Sequence, residues 1–488
     1  MSLMILGTAS HVGKSTVVAA VCRLLSDRGY AVAPFKSQNM SLNSWVTRDG
    51  AEIGIAQAMQ AFAARTEPRA EMNPVLLKPK GDRTSQVVLM GQPYRDLAIA
   101  DYYLETDYLL ERALEAYRRL EDDHDVIVVE GAGGAAEVNL YGRDIANIRL
   151  AERLRLPIVL VADIERGGVF AQVCGTISLL PRTVRDLVRG VIVNKFRGDP
   201  ALFEDGVALI EKLSGVPVLG VLPYYPLELP SEDSLSIGDK QVRDHPVRIA
   251  VLRFDRISNF TDFERLERRV AVDYLPPGAP LAGYDCVILP GTKNTMEDLA
   301  RLHASGGADE VRRARTAGVP VIGICGGYQM LGRRVEDRGI EAGHDTLPGL
   351  DLLGVETCFS AYEKTTRQAV HDARPAGPIL SRIEMVDGYE IHMGETVRDA
   401  NVSPAFGDDG AVSDDGLVFG TYLHGLFDNP SAVDGLLGYL HEQRGLPYEP
   451  MADSDPYDAL VRLLIDHTDV NRLLALALEG RKDDHLIG

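Results

Sequence analysis

Short apolar runs that do not alternate with polar residues set the strongest limit on how this chain can fold. Residues 3–6, 31–35, 126–129, 158–162 and 191–193 are such runs, and a weaker one at 216–222 contains Pro217 and Gly220. A sheet with one face in water would place a polar residue at every second position, so continuous runs indicate strands buried on both faces. Val17, Val18, Val21, Leu24 and Leu25 follow the first run at helical spacing. Strand, helix and strand in that order begin a parallel sheet flanked by helices.

A second series of runs lies at 247–252, 286–289, 319–324 and 418–423. At 488 residues the chain exceeds one ordinary core, and roughly 100–200 residues per domain gives two to four domains. The stretch 223–246 between the two series is rich in proline, serine and mixed charge and reads as a linker. After Gly445, Tyr457, Leu460, Val461, Leu464 and Ile465 recur at helical spacing. The expected fold is α/β, with two domains, each a mostly parallel sheet flanked by helices, and a helical C-terminal tail. The expected boundaries are 1–230 for the first domain, 231–246 for the linker, 247–445 for the second domain and 446–488 for the tail. There is no internal repeat and no low-complexity segment.

The acidic side chains number 71 against 51 basic ones, a formal net charge of −20. A general nucleic-acid binder would show a basic face instead. An anionic small molecule stays admissible, because a few lysines and arginines can cluster locally in an acidic protein. Five widely spaced cysteines form no C-x-x-C pair, and an odd count suits a reducing compartment. No apolar run approaches the roughly 20 residues of a membrane span. The apolar start meets Gly7 at once and has no basic flank, so it reads as a strand rather than a signal peptide. These features lead us to expect a cytoplasmic protein with neither membrane nor nucleic acid as partner.

Gly7-Thr-Ala-Ser-His-Val-Gly13-Lys14-Ser15-Thr16 joins the first strand to its helix. Such a loop aims backbone N–H groups at phosphate oxygens, and the helix N-terminus adds partial positive charge. Lys14 is placed to reach the outer phosphates and the Ser15 hydroxyl to bind Mg²⁺, with Gly13 and Thr16 completing the cradle. The usual pattern has four residues between its glycines; here five separate Gly7 from Gly13, and Thr8 stands where glycine is expected. Glu130, followed by Gly131-Ala-Gly-Gly134, and Asp163 each close a strand, where open parallel sheets gather their ligands. Both are candidates to hold metal or orient substrate, although an acid at such a place also caps helices. Lys36 at the end of the second strand and Asn194 at the end of a later one are candidate nucleotide contacts.

In the second half, the run ending at Ile324 leads straight into Cys325-Gly326-Gly327-Tyr328-Gln329. A nucleophile on a tight strand-to-helix turn is held out from the sheet, and small neighbours permit the turn. The helix N-terminus favours the thiolate. The Gly326 N–H is placed to face a developing oxyanion, and Gly291, after the preceding strand, can supply a second donor. A cysteine nucleophile needs a base. His424, which ends an apolar run as Cys325 does, is the candidate. The rival His392 alternates with apolar residues as though inside a strand.

These residues carry a family resemblance. Gly323-Ile-Cys325-Gly-Gly-Tyr-Gln with the later His424 resembles class I glutamine amidotransferase domains. The phosphate loop with its extra residue, together with Glu130-Gly-Ala-Gly-Gly, resembles dethiobiotin synthetase and its relatives. One family joins the two in this order, the cobyrinic acid amide synthetases of cobalamin biosynthesis. Four further segments carry the resemblance over nearly the whole chain. They are Phe35-Lys-Ser-Gln-Asn-Met-Ser-Leu-Asn-Ser44, Met72-Asn-Pro-Val-Leu-Leu-Lys-Pro79, Ile257-Ser-Asn-Phe-Thr-Asp-Phe263 and Leu289-Pro-Gly-Thr-Lys-Asn-Thr295.

The resemblance implies a ligase that uses ATP, Mg²⁺ and glutamine on a cobalt corrinoid, without a tightly bound cofactor of its own. Cys325 releases ammonia from glutamine. The first domain converts a substrate carboxylate to an acyl phosphate, which ammonia then displaces. Within the family the chain looks like the group that amidates the b, d, e and g carboxylates of adenosylcobyrinic acid a,c-diamide. Such a polycarboxylate suits Lys78, Lys80, Arg83 and Arg143. Many class I amidotransferases carry a glutamate two residues after the histidine, where this chain has Leu426. The group therefore implies a Cys–His pair, with nothing assigned to orient His424. The nearest alternative is the sister activity on the a and c carboxylates, against which the segments at 38–44 and 73–79 argue. A nucleotide-dependent switch resembling chromosome-partitioning ATPases is the alternative of another class. It would leave Cys325 and His424 idle.

Overall fold

A computed structural model describes residues 1–80, 84–225, 242–341, 346–450 and 455–479. The chain forms two compact units: Met1–Ser41, Glu52–Pro230 and Ser454–Gly488 make one, and Leu42–Ala51 with Ser231–Asp453 makes the other. Both ends of the chain thus belong to the first unit, and a short piece of the N-terminal half belongs to the second. Most of the expected linker, residues 231–241, and Arg83 lie outside the described residues.

The first unit is built on a six-stranded sheet in the order Val218–Pro223, Val188–Phe196, Ile158–Asp163, Ser2–Gly7, Val126–Glu130 and Val32–Phe35. All its pairings are parallel. Successive residues of one strand enter two different cores. Leu3 and Ile5 join the cluster of Val17, Val21 and Leu24, whereas Met4 and Leu6 join that of Leu109, Leu114 and Tyr117. This double burial is the reason the runs carry no polar alternation. The helix Lys14–Asp27 covers one face, and the C-terminal helices Pro456–His467 and Val470–Leu478 pack in the same core. Buried Arg23 ties the tail to that helix, donating to Asp455 at 2.7 Å and Asp458 at 2.6 Å. The long helix Ile99–Asp123 covers the other face through Leu109, Leu110, Ala113 and Leu114.

The second unit has its own six-stranded sheet, ordered Ala271–Leu275, Arg248–Leu252, Cys286–Leu289, Val321–Ile324, Val418–Thr421 and Ala411–Val412. The pairings are parallel except the last. A three-stranded antiparallel sheet of Lys364–Asp372, Met385–Met393 and Leu423–His424 adjoins it in sequence, and the main-sheet strand Val418–Thr421 runs almost directly into Leu423–His424. Among the described residues no helix is long and apolar enough to cross a membrane.

Candidate active site

The strand Val321–Ile324 ends at Cys325, whose φ of +51° places a β-carbon in a strained backbone region. The surroundings hold it there. Its N–H donates to the Thr421 carbonyl at 2.8 Å, and its carbonyl accepts the Gln329 N–H at 3.1 Å. The helix Gly326–Leu331 starts at once. Gly327 cannot be replaced without rearrangement, because a β-carbon there would lie 1.9 Å from the Leu289 carbonyl oxygen. The Gly-Gly pair therefore lets the turn settle against the neighbouring strand. Cys325 is 7% exposed, with Sγ 3.7 Å from the Ile391 carbonyl.

His424 is buried and pairs across the small sheet with Tyr389, whose ring stacks on the imidazole at 5.5 Å. Its Nδ1–H donates to Oδ2 of Asp262 at 2.8 Å, while Oδ1 of Asp262 accepts the Gly425 N–H at 2.9 Å. Nε2 is buried with no well-formed hydrogen bond among the described residues. Burial alone would lower the imidazole pKa, but the Asp262 carboxylate and then the Cys325 sulfur outweigh it and raise the pKa to about 10. The Asp262 carboxylate and the nearby Cys325 sulfur thus both favour the charged imidazole.

The resemblance left the group that orients His424 unassigned, and the structure supplies one. Leu426 is indeed apolar and buried, and the carboxylate comes instead from Asp262 on the short turn Phe260–Phe263. The available sequence signal was an acid between two aromatics, Phe260 and Phe263, both fully buried. A carboxylate carried inside with them needs a partner.

Gly326 and Gly291 both border the pair. A β-carbon on Gly291 would sit 3.0 Å from Cε1 of His424, and one on Gly326 would sit 3.1 Å from Oγ1 of Thr295. Thr295 Oγ1 donates to Gln329 Oε1 at 2.9 Å, and Gln329 Nε2 donates to the Met393 carbonyl and the Tyr422 hydroxyl. These polar groups line the same turn, and sequence reasoning did not single them out. His392 points elsewhere, stacking on Tyr422 at 3.6 Å with Nε2 3.7 Å from Glu390. Glu390 is held mainly by Arg367, at 2.9 and 3.0 Å.

In the first unit the phosphate loop has Gly13 at φ +96°, and a β-carbon there would lie 2.1 Å from Nδ2 of Asn194. Lys14 is buried and its Nζ spans the loop, donating to the carbonyls of Ala9 at 3.1 Å and Gly133 at 2.7 Å. Ser15 Oγ donates to Glu130 Oε1 at 2.8 Å, and Lys36 Nζ pairs with the same oxygen at 3.1 Å. Thr16 follows on the first turn of the helix. Thr8, a further candidate phosphate contact, and the candidates Asn194 and Asp163 each have partners within the protein. Asn194 donates to the Val12 carbonyl at 2.8 Å, so it supports the loop from behind. The Thr8 N–H is used by the Val161 carbonyl at 3.0 Å. Asp163 pairs with Lys195 at 3.0 Å and accepts the Glu165 N–H at 2.7 Å. Of the candidate corrinoid contacts, Lys78 is buried against Glu52, Lys80 pairs with Asp96 at 2.6 Å, and Arg143 lies 4.7 Å over the Tyr103 ring.

No group of three metal-binding His, Cys, Asp or Glu side chains occurs among the described residues. An ion bridging nucleotide phosphates needs few protein donors, since phosphates and water supply the remainder. The Ser15 hydroxyl and Glu130 carboxylate fit that need. Gln60, which donates to Glu130 Oε2, keeps a buried Oε1 without a partner among the described residues beside them.

Comparison with known proteins matches the two halves of the chain to different domain families. Residues 248–432 match the CobB/CobQ-like glutamine amidotransferase domain, and residues 1–228 match an AAA domain. The chain is 65% identical over 478 residues to a probable cobyric acid synthase of Methanosphaerula palustris, covering 98% of each chain. It is 62% identical to the probable cobyric acid synthase of Methanoculleus marisnigri, over 99% of this chain and 100% of that one. It is likewise 62% identical to that of Methanoregula boonei, over 98% of this chain and 99% of that one.

Proposed function

The chain belongs to the cobyric acid synthase family, and on that premise we propose that it amidates the b, d, e and g carboxylates of adenosylcobyrinic acid a,c-diamide, giving adenosylcobyric acid. At the coarser level it is a glutamine-dependent ligase of cobalamin biosynthesis with a P-loop domain and a glutamine amidotransferase domain. The single observation that carries the mechanistic reading is the thiol of Cys325 on a strained turn beside a buried His424 that Asp262 orients.

Glutamine hydrolysis begins with attack of the Cys325 sulfur on the side-chain amide carbon. The carbonyl π electrons move to oxygen, and the N–H groups of Gly326 and Gly291 bind the oxyanion in this reading. His424 Nε2 gives its proton to the departing nitrogen, the C–N bond breaks, and ammonia leaves a γ-glutamyl thioester. Water activated by His424 cleaves the thioester to glutamate and restores the thiol. Asp262 accepts from Nδ1–H throughout and keeps Nε2 directed at the reaction.

A carboxylate resists attack by ammonia until its oxygen becomes a leaving group. A substrate carboxylate oxygen attacks the γ-phosphorus of ATP, ADP leaves, and the acyl phosphate forms. Ammonia then attacks the acyl carbon, phosphate departs, and a proton is lost to give the amide. Lys14 supplies positive charge to the transferring phosphoryl group. Ser15 and Glu130 are the side chains that would hold Mg²⁺, which neutralises phosphate charge when bound. Lys36, in contact with Glu130, adds a second cation to the same place.

The test is to incubate purified protein with the a,c-diamide, MgATP and glutamine and to follow product masses. The expected result is stepwise conversion of four carboxylates, with ADP formed at each step. Amidation of cobyrinic acid at a and c, with the a,c-diamide untouched, would assign the sister activity instead.

A further inference from the structure

The glutamine-hydrolysing unit contains ten residues that the sequence places in the other half. Leu42–Ala51 belongs to this unit, while Met1–Ser41 before it and Glu52–Pro230 after it belong to the P-loop unit. The segment is packed where it can influence the catalytic pair. Oδ1 of Asn43 accepts the Phe260 N–H at 3.2 Å, and the Ser44 N–H donates to Oδ1 of Asn259 at 2.9 Å. All four residues are buried, at 2% exposure or less. The two bonds form a reciprocal clamp on one turn. Asn259 adopts φ +50°, and its carbonyl accepts the Asp262 N–H at 3.0 Å. The clamped turn is therefore the one that carries the carboxylate oriented on His424.

A second contact reaches the same imidazole. Trp45 lies 4.8 Å from Tyr389, and Tyr389 stacks on His424. Val46 and Trp45 pack with Tyr389 and Ile391, the residue whose carbonyl faces the Cys325 thiol. Gln368 Nε2 donates to the Val46 carbonyl at 3.2 Å and fixes the segment to the small sheet.

We propose that Asn43 is a positioning residue of glutamine hydrolysis, acting through the Asn259–Phe260 turn on Asp262 and so on His424. The inference rests on the reading of Cys325 and His424 as the glutamine-hydrolysing pair. A buried backbone N–H left without its acceptor destabilises the conformation that needed it, so the turn loosens when Asn43 is truncated. A loosened turn moves Asp262 relative to Nδ1. The segment is continuous in the chain with the half that consumes ammonia.

The test uses full-length Asn43→Ala and, from the other side of the clamp, Asn259→Gly, which keeps the left-handed φ but removes the acceptor. Glutamine hydrolysis is measured as kcat, KM and pH profile, with ammonia-dependent amidation and thermal unfolding as controls for folding. Each variant is expected to lose on the order of ten- to a hundredfold in kcat with little change in KM. The alkaline limb of the profile moves to lower pH, because His424 loses its fixed carboxylate. The double variant loses less than the product of the two single losses, since both bonds hold one turn. Wild-type kcat and an unmoved pH profile in both variants would overturn the proposal. So would equal losses in both activities accompanied by a lower unfolding temperature, which marks a purely structural contact. If Cys325→Ser still hydrolyses glutamine, the underlying reading fails and the clamp with it. If Cys325→Ser is inactive while Asn43→Ala is normal, the clamp alone is wrong.

Discussion

Asp262 and His424, 162 positions apart in the chain, are joined by a 2.8 Å hydrogen bond from Nδ1 to Oδ2. The bond fixes which imidazole nitrogen faces Cys325. Asp262→Asn keeps the shape but can present an N–H to Nδ1 and so favour the tautomer with its proton on Nε2. Glutamine hydrolysis is expected to fall about 10²–10⁴-fold, the usual worth of a positioned base. Ammonia-dependent amidation stays near wild type. Steady-state glutaminase assays on the two proteins decide it, and an unaffected kcat would remove Asp262 from the mechanism.

The two histidines divide in the same way. His424→Ala is expected to lose most glutamine hydrolysis and retain ammonia-dependent synthesis. His392→Ala, removing a ring that stacks on Tyr422, is expected to affect thermal stability or glutamine affinity more than turnover. Glutaminase activity and thermal unfolding measured on both variants separate the roles. Normal folding with lost turnover in His392→Ala, alongside activity in His424→Ala, would reverse the assignment.

Stability should carry the mark of the raised His424 pKa. The folded value is about 10 against an ordinary 6.5. Protonation therefore favours the folded state; its contribution is complete below about 6.5 and is lost as pH rises through about 10. Asp262→Asn removes the main source of the rise. The margin in unfolding temperature between wild type and Asp262→Asn is expected to be widest near pH 6 and to narrow toward pH 10. Thermal scans across that range test the sign, and a margin that widens with pH would contradict it.

Lys14 spans the phosphate loop from Ala9 to Gly133. Lys14→Ala is expected to stop amidation from glutamine and ammonia alike, because both nitrogen sources need the acyl phosphate. Glutamine hydrolysis by the separate thiol site should persist. Near-normal ammonia-dependent turnover at saturating ATP would move the nucleotide site elsewhere.

The parallel sheets were legible because burial on both faces leaves its mark in every strand, as at Leu3 to Leu6. The strand-to-helix turns that carry Cys325 and Lys14 were legible because their geometry follows from neighbouring residues. Asn194 was legible as a strand-end residue, whereas its bond to the phosphate loop was not. It turns toward the Val12 carbonyl because Gly13 leaves room for its amide. Asp262 carries no local pattern tying it to His424, and Leu42–Ala51 follows a strand in the N-terminal half without any change of composition that would assign it to the other unit. Both relationships arise from pairings across more than 150 positions, as the Asn43–Phe260 bond spans 217, and only the folded chain displays them.

The most direct measurement of the whole account is the amidation rate of Cys325→Ser with each nitrogen source, using the a,c-diamide and MgATP. If the thiol releases ammonia and the P-loop unit consumes it, glutamine supports no product while added ammonia supports synthesis at close to the wild-type rate. Loss of both activities in a folded protein, or retention of glutamine-dependent synthesis, would contradict the division of chemistry between Cys325 and Lys14.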